Sequence, residues 1–186
     1  EVDGLLAKVR EHDPQNDGLK IVDARILMKS ALPDVHKARE LVSSVTADSH
    51  VYLQALQVQA EIAAMQGHHS TVENLARTIL EKSASNTQVM HLLADAQLGQ
   101  NDRAGAQATL ERILAYDRSD TRAMRLLVRL YEQMNLPQRA DEMFARFKEG
   151  GRNRPGHAAQ VEELRTFLGR SDGTTAAAPT PESQAA

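Results

Sequence analysis

The sequence predicts an all-α protein built as a stacked array of helix pairs, and three observations support this. The segment NTQVMHLL at residues 86–93 returns 34 residues later as DTRAMRLL at residues 120–127, and a fixed period of this size is typical of two-helix repeats. Within the repeats, apolar residues recur at spacings of three and four, which indicates amphipathic helices. Only 3% of the residues are aromatic and none is Trp, so an aliphatic core of close-packed helices is favoured.

The elements follow in order along the chain. Residues 1–16 are predicted to form a helix of an incoming partial repeat, so we expect the array to begin upstream of Glu1. Residues 17–154 hold four repeats, at about 19–52, 53–86, 87–120 and 121–154. Residues 155–169 are predicted to form a capping helix, and residues 170–186 a disordered tail because Ala, Thr, Pro and Ser cannot bury enough apolar surface.

The helix boundaries carry local signals. Gly67, Asn101 and Asn135 stand where the first helix of a pair must end, and Gly and Asn adopt left-handed backbone at low cost. The first repeat is the least regular. Its apolar stripe, made of Ile21, Ala24, Met28 and Ala31, requires one inserted residue near Leu32 and Pro33. The core predicted for the later repeats comprises Met90, Leu93, Ala94, Leu98, Ala106, Leu110, Ile113, Leu114, Met124, Leu127, Val128, Tyr131, Ala140, Phe144 and Phe147.

The pattern resembles the tetratricopeptide repeat (TPR) family over about residues 19–154. The small or medium residue of its eighth position is matched by Ala60, Ala94 and Val128, although no Trp occupies the fourth position. The resemblance implies a right-handed α-solenoid of about four to five TPR-like helix pairs, a superhelix with a C-terminal capping helix. A half-a-tetratricopeptide or other helical-hairpin solenoid is the alternative fold.

The same resemblance implies a peptide-binding groove lined by the first helices. Positions two, five and nine of each repeat would face it: Gln54, Gln57, Glu61, Gln88, His91, Asp95, Arg122, Arg125 and Arg129. Because the three arginines share one helix face, they are candidates to grip a carboxylate together. The alternative is a solvated helix face with ordinary charges.

Other chemistries have little support. The chain lacks Cys, and His91 with Asp95 would give a metal ion two ligands where three or four are needed. We therefore predict no catalytic residue, metal or cofactor, and no enzyme. Residues 118–165 carry 10 Lys or Arg against 7 Asp or Glu, but the scarcity of aromatic residues argues against a nucleic-acid partner. No apolar run approaches membrane-spanning length, so direct membrane insertion is not expected.

The functional hypothesis is a protein-protein interaction scaffold that binds a peptide segment of a partner protein as part of a larger assembly. One alternative is a self-association module that forms a homo-oligomer. Another is the non-catalytic repeat region of a larger enzyme or of a secretion or assembly protein. Location stays open between cytoplasm and periplasm, as does membrane anchoring of a longer parent chain.

Overall fold

A computed structural model describes residues 2–150 and 155–169. These residues form ten helices and no strand. The helices are α1 (Val2–His12), α2 (Asp17–Lys29), α3 (Val35–Ser43), α4 (Tyr52–Met65), α5 (His69–Lys82), α6 (Thr87–Gly99), α7 (Arg103–Tyr116), α8 (Thr121–Gln133), α9 (Pro137–Gly150) and α10 (His157–Phe167). The last residues of the fourth predicted repeat, 151–154, and the disordered tail predicted at 170–186 lie outside the described residues.

Two compact units divide the chain, residues 1–123 and residues 124–186. In the first unit, α2 packs on α3, α4 on α5 and α6 on α7. The first helices of successive pairs also touch, α2 with α4 and α4 with α6. Each helix therefore contacts near neighbours in sequence, which is the packing of a repeat array. In the second unit, α9 packs against α10.

The core is mainly aliphatic, and many of its residues are alanines. Ala60, Ala94 and Ala106 are completely buried, and their small side chains let neighbouring helices approach closely. Around them lie larger side chains, each contributing about 1.5–3 kcal/mol on burial. Most of the predicted core is confirmed as buried: Met90, Leu93, Ala94, Ala106, Leu110, Ile113, Leu114, Met124, Leu127, Val128, Tyr131, Ala140 and Phe147. The remaining two, Leu98 and Phe144, are half-buried.

Three of the four pairs turn in the same way. Gly67, Asn101 and Asn135 have φ angles of 71°, 61° and 56°, the left-handed conformation that the sequence predicts. In each turn a backbone N–H donates to the carbonyl five residues earlier. The bonds run from His68 to Ala63 at 2.9 Å, from Asp102 to Gln97 at 2.8 Å and from Leu136 to Tyr131 at 2.8 Å. The helix ends thus recur with the 34-residue period of the sequence.

The first pair departs from this pattern because Pro33 stands one repeat before Gly67. Proline fixes φ near −65° and cannot adopt the left-handed turn. Instead, five residues join α2 to α3, where three join each later pair. The capping residues Asn16 and Asn86 lie 70 positions apart, two more than two repeats. The expected insertion of one residue is therefore wrong: it is two, and Ala31 lies exposed beyond the end of α2.

Helix α10 is tied to the second unit by a buried apolar contact. Leu164 is fully buried, and the His157 ring lies 4.6 Å from the Phe147 ring, centroid to centroid. Residues 155–167 also lie 34 positions after α8. Helix α10 thus continues the register of the first helices.

Candidate functional site

The inner positions are defined here as positions two, five, nine and twelve of each repeat. On α4 and α6, three residues at these positions form a polar network. Gln57 is buried, and its Nε2 donates to Glu61 Oε1 at 3.1 Å and to Gln88 Oε1 at 3.3 Å. Gln54 and Gln88 are exposed. Gln57 therefore links two neighbouring first helices, while the other two amides remain accessible to a ligand.

Arg25 of α2 belongs to this network but is missed by strict 34-residue counting. When the two inserted residues are taken into account, Arg25 occupies position nine, as Glu61 does on α4. An Arg25 guanidinium nitrogen lies 3.7 Å from Glu61 Oε1. The matching capping residues Asn16 and Asn86 are the sequence signal that identifies this register.

His91 and Asp95 are not brought together by the fold. His91 Nε2 lies 2.8 Å from Asp120 Oδ2, and both side chains are largely buried. Asp95 instead accepts a hydrogen bond from Arg122 at 2.5 Å. Among the described residues, no group of three or more His, Asp or Glu side chains is arranged to hold a metal ion.

Within the second unit, Arg129 is engaged by α10. Its guanidinium pairs with the Glu163 carboxylate and lies 5.5 Å from the centre of the Phe167 ring. Arg125, one turn earlier on α8, is half-buried and has no ion-pair partner within the described residues. Of the three predicted arginines, Arg122 and Arg129 thus pair with carboxylates of the chain itself, whereas Arg125 forms no such pair within the described residues.

Position nine of every repeat carries a charged side chain. The position holds Arg25, Glu61, Asp95, Arg129 and Glu163 on successive first helices. Each of these side chains pairs with an opposite charge from a neighbouring first helix. Exposed pairs of this kind contribute about 0–1 kcal/mol each, so their main effect is to leave the inner positions nearly neutral.

The carboxyl groups of Asp17 and Glu73 have shifted pKa values, and both lie away from the inner positions. Hydrogen bonds from Lys20 and Ser49 lower the pKa of Asp17, and hydrogen bonds from Arg77 and Gln100 lower the pKa of Glu73. Both groups stay ionised at neutral pH. They act in structural contacts, and neither is poised to exchange protons with a substrate.

Comparison with known proteins agrees with this architecture. Residues 63–130 match the sequence model of the tetratricopeptide repeat family. A crystal structure of MamA superposes with a TM-score of 0.69 at 15% identity, covering 79% of this chain and 85% of MamA. Residues 41 to the end of MamA from Desulfovibrio magneticus RS-1 give 0.69 at 13% identity, with 81% and 84% covered. The pilF protein of Pseudomonas aeruginosa gives 0.69 at 14% identity, with 89% and 72% covered.

Residues 63–130 are thus similar to the tetratricopeptide repeat family that the spacing predicts. The fold is an all-α solenoid like those of the solved structures. At these identities, the solved structures establish the fold alone. No curated protein sequence matches the chain significantly. Tetratricopeptide repeats are generally non-catalytic and typical of protein-interaction scaffolds. In the described ranges, every helix is too short or too polar to cross a lipid bilayer.

Proposed function

We propose that this chain is a protein-interaction scaffold that holds a segment of a partner protein against its first helices, as one component of a larger assembly. The observation that carries the proposal is the side-by-side contact of α2, α4 and α6. This contact joins their inner positions into one surface of accessible amides and neutralised charges. Such a surface suits the backbone and mixed side chains of a peptide better than it suits a polyanion.

The ion pairs at the inner positions indicate which residues are suitable for mutation in a binding test. Arg129 is a poor probe of binding, since Arg129→Glu would set two carboxylates side by side and disturb α10. Arg125 and Gln54 are better probes. Neither makes an ion pair within the described residues, and both retain exposed surface. Within the described residues, a ligand can therefore reach either side chain without displacing an ion-pair partner.

The test is a selection of random-sequence peptides displayed on phage against the whole chain, followed by fluorescence polarisation with the selected peptides. We expect Arg125→Glu or Gln54→Glu to weaken binding of such peptides about tenfold, the loss of one charge-assisted or buried hydrogen bond. Matched controls are Arg146→Glu and Gln138→Glu, exposed positions of α9. If all four variants bind alike, or if no peptide is enriched, the proposed function fails.

A further inference from the structure

A cleft opens in the first unit between α2 and α4 and reaches the start of α6. It has a volume of about 370 Å³ and is lined by Arg25, Met28, Lys29, Glu61, Met65 and Gln88. This volume is at the small end of the range in which proteins hold ligands, about 300–1,000 Å³. The cleft is therefore large enough for one or two side chains of a partner.

The apolar wall of the cleft consists of two methionines. Met28 is half-buried and packs on the core of the first two pairs, while Met65, at the end of α4, keeps 55% of its surface exposed. Met adapts its shape to different apolar ligands because it is unbranched and polarisable. This wall thus favours an apolar side chain without selecting a single one.

The polar wall of the cleft carries a net positive charge. Arg25 and Lys29 face one carboxylate, that of Glu61, and the 3.7 Å separation of Arg25 from Glu61 is too long for a hydrogen bond. Arg25 Nε is buried without an acceptor. Lys29 has no ion-pair partner within the described residues. The cleft therefore contains two cationic side chains and one carboxylate, so one positive charge has no counter-charge within it.

We propose, on the basis of the scaffold function above, that this cleft recognises a partner segment in which an apolar residue lies next to Asp or Glu. The apolar side chain contacts Met28 and Met65, and the carboxylate accepts hydrogen bonds from Lys29 and Arg25. The exposed Gln88 amide is placed to bond the peptide backbone. A polyanion such as nucleic acid fits less well because Glu61 lies within the same cleft.

The first test compares the sequences that random-peptide phage select on the parent chain and on three variants. On the parent chain, we expect enrichment of Asp or Glu beside Leu, Ile, Met or Phe. Lys29→Glu should remove this preference for acids, whereas Lys82→Glu, the same charge change at an exposed position of α5, should retain it. Lys29→Gln separates loss of the cation from any effect of a new carboxylate at the end of α2. Circular dichroism verifies that each variant is folded.

The second test locates the bound peptide. With ¹³C-methyl methionine, the chain gives signals from its six Met residues, and single Met→Leu variants assign those of Met28 and Met65. Titration with a selected peptide should shift these two signals and leave the buried Met90 and Met143 unchanged. Replacing the acidic residue of the peptide by its amide should weaken binding about tenfold.

The outcomes separate the two proposals. Peptides that bind through Arg125 or Gln54, without an acidic preference and without shifts at Met28 and Met65, would overturn the cleft and leave the scaffold function intact. Nucleic-acid binding abolished by Lys29→Glu, in the absence of peptide binding, would overturn both. Absence of any enriched peptide also contradicts both proposals.

Discussion

At the residue scale, Asp120 connects two elements with one side chain. Its Oδ1 accepts the Ala123 N–H at 2.8 Å, which caps the start of α8. Its Oδ2 lies 2.8 Å from His91 Nε2 on α6. The Asp120 side chain is 16% exposed, so water replaces these partners poorly. One carboxylate therefore both ends the loop before α8 and fixes that loop to α6.

The first prediction concerns this residue. Asp120→Ala should lower the free energy of unfolding by about 1–2 kcal/mol, because it removes a helix cap and a hydrogen bond. Asp120→Asn retains an oxygen acceptor for the Ala123 N–H and should recover the capping part of the loss. Urea denaturation followed by circular dichroism measures both variants. An alanine variant as stable as the parent would show that the two contacts contribute nothing.

A second prediction follows from Glu73. Its carboxylate accepts hydrogen bonds from Arg77 at 2.5 Å and from Gln100 at 2.7 Å, and these hold its pKa below the ordinary value of 4.5. A lowered folded-state pKa means stabilisation that is fully present above the unfolded-state pKa. This stabilisation disappears as the pH falls through the folded-state value.

Glu73→Gln should therefore destabilise the chain at pH 7 by less than about 1 kcal/mol, a small amount because the pair is partly exposed. The difference from the parent should shrink as the pH falls below 4.5. Thermal denaturation between pH 7 and pH 3 provides the measurement. Glu81→Gln, an exposed carboxylate on the same helix, is the matched control. If the difference in stability between Glu73→Gln and the parent instead grows as the pH falls, the lowered pKa of Glu73 is contradicted.

At the element scale, the left-handed turns of the helix pairs predict that a Gly→Ala substitution destabilises the chain more in a turn than within a helix. Gly67 has a φ of 71°, and a Cβ added there meets no atom within 4 Å. Gly67→Ala should therefore cost about 1–2 kcal/mol through backbone conformation alone. Gly4→Ala, within α1 and equally open, should not destabilise the chain. Differential scanning calorimetry compares the two variants, and equal melting temperatures would exclude a conformational cost at Gly67.

Much of the fold could be predicted at this scale because three sequence patterns recur together in the repeats. The spacing of apolar residues, the small residues at helix contacts and the Asn or Gly turns all recur every 34 residues in the later pairs. The first pair could not be placed by counting, since Pro33 forces a longer connection whose length depends on backbone geometry. Arg25, and with it the cleft, was missed for the same reason.

The side-chain contacts of the candidate site were harder to predict from the sequence. Periodicity indicates which face of each helix is polar, but which charged side chains pair depends on their reach across neighbouring helices. Arg122 pairs with Asp95 and His91 with Asp120 at separations of 27 and 29 residues, which no repeat rule specifies. Arg129 and Glu163 lie 34 residues apart. A search for opposite charges at the same position of successive repeats would have identified this pair.

At the scale of the whole molecule, contacts restricted to neighbouring helices imply that stability varies along the array. Within residues 1–123, helices α4 to α6 each have packed neighbours on both sides in sequence, and they contain completely buried residues such as Val58, Ala76 and Met90. Helix α1 contacts only α2 to a substantial extent, and residues 8–12 are all exposed. Local opening of α1 therefore breaks the packing against one neighbouring helix and has a low free-energy cost.

Hydrogen exchange measured by mass spectrometry should resolve this gradient in the intact chain. Amides of α4 and α6 should exchange most slowly, those of α2 and α3 faster, and those of α1 fastest. Moderate urea should extend the exchanging region from α1 into α2 before it reaches α4, because each helix loses the support of its neighbour in turn. If α1 and α6 instead exchange at the same rate at every urea concentration, the first unit unfolds as a single cooperative block. Stability would then not be a sum of contacts between neighbouring repeats.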